Sequence, residues 1–547
     1  MEEEQEPTPV VLLPWRKPDP LAPPVNQVNA AFADRYLNHL EQLNLDSPVR
    51  GVNLTNIMAT VGENNNSVDL IKLMLRSGVN ILRIPTHSSK LYQVEKILKN
   101  VKLAIEEVSL EECKVVTCAV AIETKGTQLR TGKLSRPSNV GHGDNSYSVE
   151  IAQGANIVLT ANQLIETKGT VKRLFVDSME LPKRVIPDDI VYIDRNIKLK
   201  VVEKENNDVH CTVIRGGKLM DNQLVTVPRV TFNLPVIADR DKHVVDLIVR
   251  EAVDIIIMSS VTGANSIREM RGMLEDHVDR VLILAKIETL LGMEYMDEII
   301  MESDGVVLNR IQLAVATSVE VTFLAQKMIA ARCNKQGKPF LVVGDILPDH
   351  NVEEYSDVSI GDMNDVNSIV QDGADVVVLT QSEQAHHRVD ILKEILKKTE
   401  SVLWEKQVFE DLCALACPPL DPAHSIVIAC VNAALKCQAV AIIVITCSGY
   451  SAKLVSKYRP QCPILAVSSL GYVCRHLNVY RNIRPLHYIR NPQADWSMDV
   501  DCRVQFAIQH GMEIGIISPG DPLVLINGWR KGAGFTNIMR VVYAPIT

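Results

Sequence analysis

The stretch Val281-Leu282-Ile283-Leu284-Ala285-Lys286-Ile287-Glu288 decides the fold. Its unbroken apolar run reads as a strand buried on both faces, as strands of parallel sheets are. A cation and a carboxylate stand at the end of that run. A buried strand that carries Lys286 and Glu288 to its own C-terminal end reads as one stave of a barrel with a site at its mouth. The pair suits phosphoryl transfer: the lysine offsets developing negative charge and the glutamate holds a divalent metal.

The same rhythm recurs on both sides. Ile57–Thr60, Val79–Ile84 and Val115–Ile122 read as strands, with helices at Ser67–Ser77 and Leu91–Val108. Further strands are expected at Ile255–Met258, Gly305–Leu308, Phe340–Val343 and Val376–Leu379, with helices between. Alternating strands and amphipathic helices build a parallel sheet, and about eight strands favour a (β/α)8 barrel over an open sheet. The rhythm breaks after Gly132, where short alternating strands such as Ile190–Ile193 and Val209–Ile214 predict an inserted β domain. A separate α/β domain follows from about Gln407, with strands at Ala439–Ile445, Ile464–Val467 and Leu523–Ile526. The expected division is a disordered acidic, Pro-rich tail over 1–25, an N-terminal helix over 26–45 and a barrel over 46–132 and 235–406. The inserted small β-barrel lid takes 133–234 and the C-terminal domain 407–547.

Composition narrows the function. A chain of 547 residues with 46% hydrophobic and 22% charged content is an ordinary globular protein of several domains. Its net charge of −9 argues against nucleic acid or an anionic membrane as main partner. The twelve cysteines are scattered without a CxxC pair, which predicts reduced thiols in a cytoplasmic protein. The start, MEEEQEPTPV, lacks the pattern of a targeting peptide, and apolar stretches are of strand length, so no bilayer-spanning segment is expected. His386-His387 reads as a solvated pair, because adjacent helical residues do not share a face.

Three longer stretches carry a resemblance. They are Thr124-Lys-Gly-Thr-Gln-Leu-Arg-Thr-Gly132, Leu324-Ala-Gln-Lys-Met-Ile-Ala-Ala-Arg-Cys-Asn-Lys-Gln-Gly-Lys-Pro339 and Gly528-Trp-Arg-Lys-Gly-Ala-Gly-Phe-Thr-Asn537. With the strand order they make the chain, over Gln27–Thr547, resemble the pyruvate kinase family, its animal members in particular. The resemblance implies a barrel, a lid, a C-terminal effector domain and a homotetramer. It implies phosphoryl transfer from phosphoenolpyruvate to ADP with Mg²⁺ and K⁺. Lys286, Arg83, Lys125 and Arg130 match its catalytic cations. Glu288, Glu123 and Thr124 match its metal ligands, and Ser259 a substrate-side serine. Singly, each is more often an ordinary surface group; together at strand ends they read as a site.

The chain also departs from the family. Pro85 and His87 stand where K⁺ ligands belong, and hard cations need oxygens. Glu123 replaces an aspartate of the same ion site. Gln312 replaces the second metal carboxylate, so Mg²⁺ and K⁺ are both expected to bind weakly or not at all. Ile311 replaces a glycine, which predicts a crowded pocket. Gly344 replaces a threonine that contacts substrate. Gln223 replaces a lid lysine and Arg195 a lid aspartate. Losing one preorganised donor costs ~10²–10³ in turnover, so the expectation is a strongly reduced or absent activity. The alternatives are a slow enzyme, or a non-catalytic subunit that joins an active paralogue or a large assembly. At Thr446-Cys447-Ser448-Gly449-Tyr450-Ser451 a strand ends and a helix begins, which suits phosphate or a plain cap. Thr446, Ser448, Gly449, Ser451, Trp496, Arg503 and Gly534 match the family's sugar-bisphosphate contacts. Cys447 and Tyr450 replace basic residues there, which predicts weakened effector binding.

Overall fold

Strands β1 (Asn56–Thr60), β2 (Ile81–Pro85) and β3 (Ala119–Glu123) follow two short helices. The computed structural model describes residues 27–87, 90–136, 147–228, 230, 232, 237–348 and 358–545. The expected tail 1–25 lies outside them. Next come β4 (Leu129–Arg130), β5 (Val149–Ile151), β6 (Asn156–Thr160), β7 (Arg173–Phe175) and β8 (Ile190–Ile193). β9 (Ile197–Glu205), β10 (Asp208–Arg215), β11 (Gly217–Leu219) and β12 (Leu224–Thr226) complete the insertion. β13 (Ile255–Met258), β14 (Leu282–Ile287), β15 (Gly305–Asn309), β16 (Phe340–Val343) and β17 (Val376–Leu379) resume the βα rhythm. The last strands are β18 (Ala441–Ile445), β19 (Ile464–Ser468), β20 (Ile483–His487), β21 (Pro522–Gly528) and β22 (Thr536–Tyr543).

The chain divides into two compact units. One comprises Ile57–Asp365 and Asp372–Val389. The other comprises the described residues of Met1–Asn56, Val366–Gln371 and Asp390–Thr547. In the first unit eight strands close a barrel in the order β1-β17-β16-β15-β14-β13-β3-β2. Every registered pair in it is parallel. Across the seam, Thr60 Oγ1 donates to the Leu379 carbonyl at 2.7 Å. The strands are buried end to end because each is apolar on both faces. The insertion forms a seven-stranded sheet, β4-β12-β8-β9-β10-β6-β7, with a two-stranded β11-β5 beside it. Its inward residues, such as Leu159, Val191, Leu199 and Val209, make a separate core.

In the second unit β20-β19-β18-β21 run parallel and β22 closes the edge antiparallel. Ile443, Leu465, Leu523 and Val504 form its core. Here the N-terminal segment departs from expectation. The single helix foreseen over 26–45 is two short ones, Val28–Ala31 and Tyr36–Glu41. Trp404 Nε1 donates to the Ala33 carbonyl at 3.1 Å, and His39 stacks on the Trp404 ring. Those contacts take up a carbonyl that a continuous helix would need for its own ladder. Strand β3 likewise starts at Ala119 rather than at Val115. Val115 is exposed, so its apolar side chain gains nothing from a sheet position. None of the twelve cysteines is in a disulfide. Among the described residues no helix is long and apolar enough to cross a membrane.

Phe340 in β16 is fully buried, whereas Leu45 is 91% exposed. Phe340→Ala is expected to lower stability by about 3–5 kcal/mol, and Leu45→Ala by no more than about 0.5 kcal/mol. Urea unfolding midpoints at unchanged slope would read the difference.

Candidate active site

The barrel strands deliver their charges to one end. Arg83 lies in β2, Glu123 closes β3, Lys286 lies in β14 and Glu288 follows it. All four are buried. Lys286 Nζ lies 2.7 Å from Glu123 Oε1 and 3.1 Å from Glu288 Oε2. Arg83 Nη1 lies 3.1 Å from Glu123 Oε2. Glu123 therefore bridges the two cations, and Ser259 Oγ donates to it at 3.2 Å. Burial alone would raise its pKa, but Lys286 and Arg83 hold it well below the usual carboxylate range. Burial would lower the Lys286 pKa, yet Glu123 and Glu288 raise it instead. Burial opposes ionisation of Glu288 too; Lys286, Ser260 and Gln128 overcome it.

Glu288 is saturated with donors. Ser260 Oγ donates to it at 2.6 Å, Gln128 Nε2 at 2.8 Å and Asn309 Nδ2 at 3.0 Å. Gln312 lies in the helix Arg310–Ala316, whose N-cap is Asn309. Its Oε1 accepts from Thr226 Oγ1 at 3.3 Å, so its amide oxygen faces the inserted domain. Glu288, Gln312, Ser260 and Gln128 share a cavity of about 360 Å³. Ile311, expected to crowd the pocket, is half-buried in the same helix and does not line that cavity.

The other expected residues sort into two groups. Thr124 is buried and accepts from the Ser259 N–H at 3.3 Å. Lys125 pairs with Asp177 of the insertion, and the Arg130 N–H donates to Asp177 Oδ1 at 2.7 Å. Arg130 also donates to Gln128 Oε1 and to the Asn222 carbonyl, both at 2.8 Å. Pro85 is buried and offers no side-chain oxygen. Burial, then Arg130, depresses the His87 pKa well below its usual value, so its imidazole is neutral. Gly344 is filled from outside: a β-carbon there would stand 2.8 Å from Arg310 Nη2. Arg310 in turn pairs with Asp365, Nη1 to Oδ1 at 2.6 Å. Gln223 turns inward, its Oε1 accepting from the Met220 N–H at 3.1 Å. Arg195 reaches from the insertion to Asp345, after β16, at 3.0 Å.

Gln128, Asp177, Ser260, Asn309, Asp345 and Asp365 were not foreseen. Gln128 and Asn309 lie in stretches that drew attention for other residues. The remainder give no signal in sequence, because only folding brings them to the cluster.

The donor set fits the expected cations only in part. For K⁺ the side chains are a proline, a nitrogen donor and a carboxylate already held by Arg83 and Lys286. For Mg²⁺ there is one carboxylate, Glu288. Among the described residues no group of three or more His, Cys, Asp or Glu could hold a metal ion.

The second unit holds a cavity of about 280 Å³ lined by Thr446, Ser448, Ser451, Trp496, Arg503 and Gly534. The Gly449 N–H is turned inward, donating to Thr446 Oγ1 at 3.0 Å. Trp496 Nε1 donates to the Gly528 carbonyl at 2.9 Å. Arg503 is held by Asp499 at 2.8 Å and lies over the Tyr488 ring. Arg530 and Lys531 also face this cavity.

Two family models match the chain. Residues 52–390 match "Pyruvate kinase, barrel domain" and residues 424–542 match "Pyruvate kinase, alpha/beta domain". The chain is 34% identical to pyruvate kinase PKLR of Rattus norvegicus over 522 residues, covering 94% of this chain and 89% of that protein. The Homo sapiens protein of that name gives the same figures. Pyruvate kinase of Candida albicans is 28% identical, with 93% of this chain and 99% of that protein covered.

Removing Lys286 leaves two buried carboxylates short of a cation. Lys286→Met is expected to destabilise the protein by about 3–5 kcal/mol. Glu123→Gln in the same chain should recover part of that loss. A double-mutant cycle by chemical unfolding reads the coupling, and simple additivity would mean that the pair is not energetically joined.

Proposed function

The chain belongs to the pyruvate kinase family, and from that premise we propose that it is a pyruvate kinase scaffold with strongly reduced or no phosphoryl transfer. The family moves a phosphoryl group from phosphoenolpyruvate to ADP in glycolysis and generally uses Mg²⁺ and K⁺. One observation carries the reading: Glu123 contacts both Lys286 and Arg83, the cations that an anionic substrate would need, and with Glu288 it balances their charge. An incoming phosphate must compete with a carboxylate that is already in place, buried and charged. In the family reaction Mg²⁺ would supply charge stabilisation at the transferring phosphoryl group. Here Glu288 alone would hold it, with Gln312 as a neutral helper, so both cations bind weakly.

The roles of the remaining groups follow. Lys286 would still offset charge on a bound phosphoryl group if Glu123 withdrew. Arg130 and Lys125, tied to Asp177, would orient the inserted domain as a lid rather than grip substrate. Gly344 supplies no hydroxyl, and Arg310 covers its place. The cavity at Thr446–Ser451 takes a sugar bisphosphate, weakly, because Cys447 and Tyr450 bring no charge. The protein works in the cytoplasm.

A second reading has its own support. Val319, Val321, Phe323, Leu324 and Met328 are exposed on and just before the helix Thr322–Gln336. Such a run suits contact with another chain. It favours an oligomer, with itself or with an active paralogue, in which this chain is a regulatory part.

The test is a coupled assay of pyruvate formation on purified protein with Mg²⁺, with and without K⁺ and fructose 1,6-bisphosphate. Turnover is expected at least ~10³-fold below the ~10 s⁻¹ typical of enzymes. A rate within about tenfold of that value would sink the proposal. The bisphosphate should still raise the melting temperature.

Reverting the site tests the cause. Gln312→Asp with Ile311→Gly and Gly344→Thr is expected to raise turnover at least ~10-fold. Arg310 must first leave Asp365 to make room for the threonine. If the triple variant stays inactive while adding Glu123→Asp restores it, the defect lies in the bridging carboxylate.

A further inference from the structure

The cavity at the barrel mouth has walls that do not suit an anionic substrate. It measures about 360 Å³, within the range of small-molecule sites. Leu129, Leu224, Val225, Val227, Leu290 and Leu291 form its apolar wall. Neither Lys286 nor Arg83 lines it, and among the described residues its lining includes no lysine, arginine or histidine. Two carboxylates line it, Glu288 and Glu294.

The two carboxylates differ in what they already hold. Glu288 is buried and in contact with Lys286, Gln128, Ser260 and Asn309, so it asks nothing of a ligand. Glu294 is exposed and has no hydrogen bond or ion pair among the described residues. It ends the short helix Leu290–Glu294, four residues after Leu290. Positions four apart share a helix face, with β-carbons about 5–6 Å from each other. That helix is pinned. Thr289 Oγ1 accepts from the Gly292 N–H at 3.1 Å, and a β-carbon at Gly292 would stand 2.8 Å from the Val261 carbonyl oxygen. One fixed face therefore presents an apolar contact and, one turn on, a carboxylate without a partner. Thr127 and Thr262 add hydroxyls to the same lining, and neither side chain is committed among the described residues.

We propose that this cavity binds a small primary amine, its ammonium donating to Glu294 and to the Thr127 and Thr262 hydroxyls, its compact apolar body against Leu129, Leu224 and Leu290. An ammonium has three N–H donors and no acceptor, which matches three acceptors. The spacing of Leu290 and Glu294 places the head one helical turn from the body, as a two-carbon link does. The inference rests on the reading above, that phosphate is turned away at this mouth. An anion here would meet Glu294 with no cation on the described lining to offset it.

The experiment titrates 2-phenylethylamine, 2-phenylethanol and 3-phenylpropionate into the full chain at pH 7, followed by ligand-observed NMR. The amine is expected to bind saturably with a Kd of about 1 mM or below. It should bind about threefold more tightly than the alcohol and about tenfold more tightly than the carboxylate. Glu294→Lys should abolish the preference for the amine and leave the alcohol unchanged. Leu290→Ala should weaken amine and alcohol alike, by about threefold. Leu290 is 47% exposed and Glu294 is exposed, so neither variant should move the melting temperature. No saturable binding of the amine, equal binding of the three probes, or a Glu294→Lys protein that keeps the preference would overturn the proposal. The pyruvate assay on the same sample separates it from the reading it rests on. Absent turnover without amine binding sinks this inference alone; ordinary turnover without amine binding sinks both.

Discussion

Lys286 lies between Glu123 and Glu288, with Arg83 on the far side of Glu123, and all four are buried. Taking a charge of that kind out of solvent costs several kcal/mol, and only close partners repay it. The barrel can carry the cluster because its strands bring opposite charges to within 3.1 Å of one another. It can carry it only while the pairs stay intact. On the proposed reading a substrate phosphate that reached Lys286 or Arg83 would have to displace the carboxylate that makes their burial tolerable. A glutamate at this position has the length to touch both cations at once.

The surroundings reinforce that closed arrangement. Glu288 accepts three hydrogen bonds from neutral side chains besides its contact with Lys286. Arg310, drawn aside by Asp365, lies over the bare backbone of Gly344. The inserted domain is tied to the mouth through Asp177, Thr226 and Arg195. The Arg195–Asp345 pair is exposed and contributes little energy, roughly 0–1 kcal/mol. Its place, across the mouth beside Gly344, matters more than its strength. The second unit follows a different logic. Its Thr446–Ser451 cavity is lined by Thr446, Ser448 and Ser451 together with Arg503, Arg530 and Lys531.

Much of the fold was legible in the chain. Runs such as Ile255–Met258 and Val376–Leu379 are apolar at every position, and only a strand covered on both faces accommodates that. Periodicity predicts one N-terminal helix, but Trp404, far along the sequence, takes the Ala33 carbonyl and two short helices form instead. An apolar Val115 predicts an earlier start for β3, yet Val115 is exposed and the strand begins at Ala119. In the site, Lys286, Glu288 and Arg83 announced themselves by standing at strand ends. Asp177, Asp345 and Asp365 did not, since an acidic residue in a loop looks the same whatever it faces.

The sequence by itself determined the barrel, the insertion, the C-terminal sheet and the identity of the charges at the mouth, because strand burial and residue type are local properties written in order along the chain. The tertiary structure alone decided what those charges do to one another. That Glu123 spans Arg83 and Lys286, that Gln312 turns to Thr226 and that Arg310 covers Gly344 depends on distances between residues as far as 163 positions apart. Coulomb energy falls with distance and grows with burial, and neither quantity exists until the chain has closed.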